Sequence, residues 1–323
     1  MRALAILCLI TAAIAAAPSA RAQTPVLRVA AMESGTVSWE LETIRHEGFD
    51  TANGLTLEVL PVAPGPAGKI AFQGGAADAM VSDWIWVARQ RAAGHDSVFV
   101  PYSRAVGGLM VAADSPAETL ADLAGARIGV AGGELDKSWL LLQAYARQKY
   151  DLDLASETEQ VFGAPPLIFK TALHGDLDGA VNYWHFLARM EAAGMRRLID
   201  VADAAAVLGL DPDTPLLGYV FHGETLRENP DLVHGFAAAS RAAKELLASE
   251  PAAWERLRPI IRAETEAQFE ALRAGFIAGI PSATGVDEAA AGRMLQIMAE
   301  LGGEDLVGEA HTLPQGLFVQ PGI

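Results

Sequence analysis

The sequence predicts an α/β protein of two similar lobes, in which each lobe is a mixed sheet flanked by helices. Two observations lead to this prediction. Short runs of β-forming residues alternate with longer helical segments, and parts of the sequence repeat at an offset of 100 residues. Such alternation is typical of strands covered by helices on both faces of a sheet. At 323 residues and 51% hydrophobic, the chain can form about two domains with full cores.

The alternation covers the first two thirds of the chain. We expect strands at residues 26–31, 55–62, 98–101, 127–131 and 177–182. We expect helices between them at residues 39–47, 88–93, 138–149 and 186–193. From Asn229 on, apolar residues at helical spacing predict helices at 230–248, 252–274 and 287–301. Pro259 should break or kink the second of these three helices, because proline removes a backbone donor.

The repeat is clearest around two pairs of tryptophans. At an offset of 100 residues, Trp39 matches Trp139 and Trp84 matches Trp184, in a chain with six tryptophans. The same offset aligns a Gly-x-x-Asp turn and residues after it: Gly75 with Gly175, Asp78 with Asp178, Val81 with Val181 and Arg89 with Arg189. Chance coincidence is the alternative to a structural repeat. A structural repeat would place strand ends of two lobes on either side of a cleft, where open α/β sheets bind ligands.

The N-terminal residues predict export through a cleavable signal peptide, residues 1–22. Met1 and Arg2 give a positive start, residues 3–17 are apolar, and Ala20, Arg21 and Ala22 fit a cleavage site before Gln23. An uncleaved membrane anchor is the alternative. The apolar run is shorter than the roughly 20 residues that a membrane span needs, which favours cleavage.

Composition excludes several classes of protein. The single cysteine, Cys8, lies in the predicted signal peptide, so the mature chain would have no disulfide, cysteine metal site or catalytic thiolate. The formal charge is −16, and loss of Arg2 and Arg21 would leave 22 basic and 40 acidic residues, a charge of −18. Such a charge repels nucleic acid and anionic lipid. We therefore expect no binding to nucleic acid. We also expect a monomer that uses no cofactor or metal.

Several motifs resemble those of one family. After the export signal come Gly-x-x-Asp-Ala at residues 75–79, Gly-Gly-Leu-Met-Val at 107–111 and Leu-Ala-Asp-Leu-Ala-Gly-Ala-Arg-Ile-Gly-Val at 120–130. This order is similar to that in the substrate-binding proteins of nitrate, taurine, sulfonate and thiamine-precursor ABC transporters, and residues 120–130 are its most specific part. The resemblance covers nearly the whole mature chain. It implies the two-lobed periplasmic binding protein fold, with the ligand cleft between the lobes.

The resemblance also implies domain limits and partners. Lobe 1 would comprise residues 23–112 and 220–323, and lobe 2 residues 113–219, with hinge crossings near 111–114 and 218–222. The implied function is capture of a small organic solute in the periplasm and its delivery to an ABC permease with its ATPase. The alternative is a binding protein that presents its ligand to a membrane receptor, which the sequence does not distinguish from transport.

Loops at the predicted strand ends supply the candidate ligand-binding residues. In lobe 1 these are Ser34, Gly35, Ser38, Trp39, Ser82, Asp83, Trp84 and Tyr102. In lobe 2 they are Gly133, Asp136, Lys137, Asn182, Tyr183 and Trp184. Glycine and hydroxyl residues at such turns let a ligand approach a helix N-terminus. For each residue there is a structural alternative: polar side chains can cap the following helix and tryptophans can pack in the core.

The charged candidates have alternatives of their own. Lys137 would pair with a ligand anion, with Asp136 or with water. Arg104 would clamp a sulfonate or carboxylate, or form a surface ion pair. Taken together, the aromatic and acidic candidates favour an organic solute with an aromatic or amine portion.

We expect no enzymatic activity. The chain has no Gly-x-Ser-x-Gly, His-Glu-x-x-His or phosphate-loop motif, and its seven histidines are scattered. An enzyme on the same fold is the weaker alternative. It would need converging carboxylates, for which Glu33, Asp83 and Asp136 are the candidates.

Overall fold

The computed structural model describes residues 24–33, 35–63, 65–282 and 285–319. The predicted signal peptide and Ser34 lie outside this described part. Within it the strands are β1 Val26–Met32, β2 Thr56–Val62, β3 Ala79–Asp83, β4 Ser97–Ser103, β5 Gly108–Val111, β6 Arg127–Ala131, β7 Glu159–Gly163, β8 Gly179–Asn182, β9 Arg196–Asp200 and β10 Leu217–His222.

The helices alternate with these strands up to β10 and then follow one another. They are α1 Val37–Glu47, α2 Phe49–Ala52, α3 Ala67–Gln73, α4 Trp84–Ala92, α5 Lys137–Tyr150, α6 Pro165–Leu173, α7 Trp184–Ala192, α8 Val201–Val207, α9 Gly223–Glu228, α10 Pro230–Ser249, α11 Pro251–Ile261, α12 Glu266–Ala278 and α13 Glu288–Val307. No helix in the described ranges is long and apolar enough to cross a membrane.

The strands form two five-stranded sheets of the same design. The first sheet has the order β2-β1-β3-β10-β4 and the second β7-β6-β8-β5-β9. In each sheet the first three strands are parallel, and the fourth is antiparallel to both of its neighbours. The predicted fold class, two lobes that each contain a mixed sheet flanked by helices, is confirmed.

The chain passes between the sheets at two places. Strand β5 follows β4 in sequence but pairs with β8 and β9, so the first passage is at residues 104–107. The return lies between the end of α8 and Leu217, because β10 pairs with β3 and β4. The first predicted crossing, 111–114, instead begins at the last paired residue of β5, and the second, 218–222, lies wholly within β10, where ladder hydrogen bonds hold it inside the first sheet. Strand pairing moves both passages toward the N-terminus.

The 100-residue repeat has a structural counterpart. Asp78 and Asp178 each precede a strand, and each carboxylate accepts a hydrogen bond at 2.8 Å from the backbone N–H of an arginine, Arg28 or Arg127. These arginines belong to the neighbouring parallel strands β1 and β6. The Gly-x-x-Asp turn therefore fixes the same strand contact in both lobes.

The C-terminal helices contact both lobes. Helix α10 packs on α1, α12 packs on α7, and α13 packs against both α4 and α5. The single helix expected at 252–274 is two helices. Pro259 is tolerated in the last turn of α11, and the break comes at Arg262, whose φ of 53° ends that helix. Thr265 then caps α12 by accepting a hydrogen bond from the N–H of Gln268.

Candidate functional site

Loops from the two lobes meet at the carboxyl ends of parallel strands. Asp83 is the last residue of β3, in the first sheet. Lys137 opens α5, which follows β6 of the second sheet. The Lys137 Nζ lies 3.2 Å from Asp83 Oδ2, so an ion pair joins the two lobes. The strand ends that the sequence singled out therefore face each other in the folded chain.

Two carboxylates at this junction cap helices. Asp83 Oδ1 accepts a hydrogen bond from the N–H of Trp86 at 2.9 Å, and Asp136 Oδ1 accepts one from the N–H of Trp139 at 3.1 Å. The capping alternative is therefore realised at both positions. The second oxygen of Asp83 remains directed at Lys137.

Tyr183 lies close to Asp136 in the second lobe. A Cβ on Gly132 would lie 3.0 Å from the Tyr183 hydroxyl and 3.3 Å from Asp136 Oδ2. Both polar atoms thus approach the same backbone position. Gly132 has a φ of 98°, a conformation that disfavours any residue with a side chain there. Tyr183 is 36% exposed.

The pKa values of these groups reflect burial and crowding of negative charge. Burial raises the pKa of Asp136 to about 6, although helix N–H groups and Lys137 oppose the rise. Burial, and then the charges of Asp136 and Asp83, raise the pKa of Tyr183 to about 12. The carboxylate of Asp136 is therefore held at an energetic cost near neutral pH, and Tyr183 keeps its hydroxyl proton.

Lys69 is a further charged group at this junction, and sequence reasoning missed it. It lies on α3, and its Nζ is 5.1 Å from the centre of the Trp86 ring. Burial lowers the pKa of Lys69, while Asp83 opposes the shift and Lys137 adds to it. Its position in the sequence could have identified it, since Lys69 follows the turn after β2, at the same edge of the sheet. We define the cleft cluster as Lys69, Asp83, Asp136, Lys137 and Tyr183.

The predicted tryptophans pack instead of presenting a face to the cleft. Trp84 is fully buried, with its ring 5.8 Å from that of Phe318. Trp39 is 3% exposed and contacts the rings of Trp184, Trp254 and Phe276. Trp184 comes from the second lobe and fits against Gly275 of α12. The packing alternative accounts for these three side chains.

Other predicted polar residues are bonded within their own loops. Tyr102 is buried, and its hydroxyl donates to Thr36 Oγ1 at 3.4 Å. The Asn182 amide donates to the carbonyl of Pro165 at 3.0 Å and accepts from the N–H of Tyr183. These side chains shape the loops, and their polar groups are already satisfied.

The remaining candidates lie in the loops themselves. Ser38 Oγ donates to the carbonyl of Gly35 at 2.5 Å, which closes the turn before α1. Ser82 is buried in β3, and Gly133 has a φ of 140° in the loop before α5. Arg104 forms an ion pair with Asp213, which is the surface alternative considered for it.

Two of the three carboxylates considered for catalysis, Asp83 and Asp136, lie at this junction and cap helices. Within the described ranges, no group of three or more His, Cys, Asp or Glu residues could hold a metal ion. Glu33 is exposed and lies outside the cleft cluster. Of the two remaining carboxylates, Asp83 is capped and ion-paired and Asp136 is capped.

Two mixed sheets with facing strand ends give the chain the fold of the two-lobed periplasmic binding proteins. The chain belongs to the NMT1/THI5-like family, whose model matches residues 44–253. No curated protein matched its sequence.

Solved structures similar to this chain include binding proteins and an enzyme. The periplasmic aliphatic sulphonate-binding protein SsuA of Escherichia coli is 18% identical, with a TM-score of 0.69 over 91% of this chain and 98% of that one. The alkanesulfonate-binding protein SsuA of Xanthomonas axonopodis pv. citri, bound to MOPS, is 16% identical, with a TM-score of 0.65 over 91% and 98%. The desulfurization enzyme DSZB is 17% identical, with a TM-score of 0.56 over 91% and 97%. At these identities the similarity establishes the fold.

Proposed function

We propose that this protein is the periplasmic solute-binding component of an ABC importer. It captures a small organic solute between its lobes and delivers it to a membrane permease and its ATPase. The observation that carries this proposal is the ion pair between Asp83 and Lys137, at 3.2 Å, because it brings polar strand-end groups of both lobes into contact. A solute placed there touches both lobes at once, which is how ligands stabilise a closed two-lobed protein.

Family and structural neighbours support this function. The chain belongs to the NMT1/THI5-like family, and the two SsuA structures are named as sulfonate-binding proteins, one of them as periplasmic. The sequence pattern of residues 1–22 supports export through a signal peptide. Together they favour a periplasmic protein that acts beside a permease, and we propose that it does so as a monomer.

The proposed hinge consists of the two passages between the sheets, residues 104–107 and 208–216. Arg104 on the first passage pairs with Asp213 on the second, so the two segments are tied together. Rotation about these paired segments would open and close the cleft as a hinge motion. In this proposal residues up to 103 and from 217 on form the first lobe, and residues 108–207 form the second.

The proposed solute contacts are the cleft cluster and the loops beside it. Asp83, Asp136, Lys137 and Tyr183 were expected from the sequence, and Lys69 joins them. Ser34, Gly35 and Gly133 remain predicted loop contacts. The buried side chains of Trp39, Ser82, Trp84, Tyr102 and Asn182 are proposed to position these loops, together with Ser38 and Trp184.

Catalysis is the second candidate function, because DSZB is an enzyme on a similar fold. The cap and the ion pair of Asp83 favour binding over catalysis, since both oxygens of this carboxylate already have partners. The chain's lone cysteine, Cys8, lies in the predicted signal peptide, so a cysteine-dependent reaction has no nucleophile in the mature chain.

A thermal-shift screen of the chain from Gln23 onward tests the proposal. The panel contains sulfonates, carboxylates, pyrimidines and amines. A solute present at about 100 times its dissociation constant should add about 2.7 kcal/mol of stability, which raises Tm by several degrees. Recovery of the bound compound unchanged by mass spectrometry supports a binding protein. Conversion of the compound during incubation would overturn the transport function in favour of an enzyme.

A matched pair of variants locates the binding site. Asp83→Asn keeps a helix-capping group but removes the carboxylate at the junction, so binding of the hit should weaken. Asp287→Asn makes the same change at the N-cap of α13, and it should leave binding of the hit unaffected. Equal effects of both substitutions would argue against the proposed cleft.

A further inference from the structure

At the N-termini of α4 and α5, carboxylates occupy the positions where a helix would otherwise bind an anion. In the first turn of α4 the N–H of Trp86 donates to Asp83 at 2.9 Å, and in the first turn of α5 the N–H of Trp139 donates to Asp136 at 3.1 Å. A free helix N-terminus attracts the negative group of a ligand. At both helices a ligand anion would meet a resident carboxylate instead. The local arrangement therefore disfavours an anionic group at these two positions.

The cleft cluster already contains a primary ammonium group bound to a carboxylate, the side chain of Lys137. The Lys137 Nζ lies 3.2 Å from Asp83 Oδ2, and its charge also stabilises the Asp136 carboxylate. Within the described ranges Asp136 forms no ion pair of its own. An ammonium donates three hydrogen bonds, and the cluster contains acceptor atoms for them: Asp83 Oδ2, which faces Lys137, and Asp136 Oδ2 and the Tyr183 hydroxyl, which both approach Gly132.

Other positive charge near the cluster comes from Lys69 and Arg89. Burial, together with the charges of Lys137 and Arg89, lowers the pKa of Lys69. His185 follows Trp184 on α7, and burial lowers its pKa to about 4, so its ring is neutral at physiological pH. An added cation would meet two carboxylates here, of which Asp136 lacks a paired cation.

Exposed apolar residues adjoin the charged groups in the sequence. Leu135 precedes Asp136 and is 38% exposed, and Ile70 follows Lys69 and is 65% exposed. Tyr183 adds a partly exposed ring. Large apolar side chains that remain accessible beside a polar cluster fit a ligand with both a charged group and a hydrocarbon portion.

We propose that the cleft selects an organic amine, whose protonated amino group displaces Lys137 from Asp83 and bonds to Asp136 and Tyr183, while its hydrocarbon portion contacts the neighbouring apolar side chains. This inference rests on the proposed solute-binding function of the same cleft. No bond is made or broken, because the amine binds in its protonated form. When no ligand is bound, the Lys137 ammonium pairs with Asp83 in place of the ligand, and it returns to Asp83 when the ligand leaves.

Titration calorimetry with matched compounds tests the proposal on the chain from Gln23 onward. The amines are hexylamine, 2-phenylethylamine and 1,4-diaminobutane, compared with the N-acetyl derivatives of the first two and with hexanesulfonate and 2-phenylethanesulfonate. At least one amine should bind about tenfold or more tightly than its acetylated and sulfonate counterparts, because the counterparts leave the carboxylates without a cation. Equal or tighter binding of the sulfonates would overturn the amine assignment.

Substitution of Lys137 gives opposite results for the two ligand charges. Lys137→Gln removes the competing ammonium, so amine binding should tighten severalfold. Asp136→Asn should weaken amine binding about tenfold. Lys149→Gln, at the exposed end of the same helix, and Asp287→Asn are the controls and should leave binding unchanged.

The outcomes separate this inference from the broader function. Binding of a sulfonate that is lost in Lys137→Gln would overturn the amine assignment and leave the solute-binding function standing. Failure of every amine in the series to bind would also overturn the amine assignment. Chemical conversion of a bound amine would overturn the solute-binding function itself.

Discussion

Helix α1, which follows β1, and helix α5, which follows β6, occupy equivalent positions in the two lobes, but their buried faces differ. At the repeat offset, Glu40 of α1 corresponds to Leu140 of α5. Glu40 is fully buried and Leu140 is 3% exposed. One lobe therefore places a carboxylate where the other places an alkyl chain, in the same repeated framework.

The neighbouring helix explains this difference. Helix α10 packs on α1 and brings Lys244, whose Nζ lies 2.6 Å from Glu40 Oε2. Ser240 and Tyr219 donate hydrogen bonds to Glu40 Oε1 at 2.6 and 2.9 Å. In the second lobe α5 packs instead against α8 and α13, and Leu140 belongs to an apolar cluster. A repeated α/β unit thus accepts either a polar or an apolar core, provided that its partner helix matches.

The largest predicted effect comes from breaking the buried ion pair. Lys244→Met should destabilise the protein by about 3–5 kcal/mol, because it leaves the Glu40 carboxylate buried without its cation. The double variant Glu40→Leu with Lys244→Met, which copies the apolar pattern of the second lobe, should recover most of that loss. Urea unfolding of the three proteins measures the difference. A double variant no more stable than the single one would show that the two lobes are not interchangeable at this position.

A second comparison concerns the tryptophans that open α4 and α7. Trp84 is buried in its own lobe, whereas Trp184 packs across the lobes against Gly275. Gly275→Ala should destabilise the protein by about 1–3 kcal/mol, because the new Cβ would lie 2.8 Å from the Trp184 ring. Gly292→Ala, where nothing lies within 4 Å, is the control and should be neutral or slightly stabilising. Thermal unfolding compares the two, and equal effects would mean that Trp184 moves aside freely.

Much of this architecture could be predicted from sequence because it depends on local patterns. The alternation of strands and helices, and the Gly-x-x-Asp turns of the repeat, gave the two sheets and the strand ends that meet at Asp83 and Lys137. The passages between sheets were misplaced, since β5 and β10 are fixed by pairing with strands distant in sequence. The roles of Trp39 and Trp84 depend on contacts with the C-terminal segments, which no local pattern reveals.

The cleft itself offers a comparison between Asp136 and Asp287, which both cap helices. Burial raises the pKa of Asp136 to about 6, so the folded state binds this proton more tightly than the unfolded chain does. Stability contributed by the proton is present below about pH 4 and lost as pH rises to about 6. Asp136→Asn keeps the cap and removes the charge, so it should stabilise the protein by about 1–2 kcal/mol at pH 8.

At pH 3.5 the stabilisation by Asp136→Asn should disappear, because the wild-type carboxyl is then protonated in both states. Asp287 is exposed, so Asp287→Asn should change stability little at either pH. Denaturant titrations at the two pH values measure both variants. A gain for Asp136→Asn that does not depend on pH would rule out burial of the charge as its cause.

The smallest predicted effect is at the two passages between the sheets. Arg104 and Asp213 form an ion pair whose side chains are 37% and 55% exposed, in contrast to the buried pair of Glu40 and Lys244. Arg104→Gln should therefore change the free energy of unfolding by less than about 1 kcal/mol, since solvent screens an exposed pair. Arg104→Gln should change hinge motion instead, because the ion pair between Arg104 and Asp213 ties the two crossing segments together. Small-angle scattering with and without a bound solute would detect a larger change in radius of gyration for Arg104→Gln than for wild type, and an unchanged difference would remove the pair from the proposed hinge.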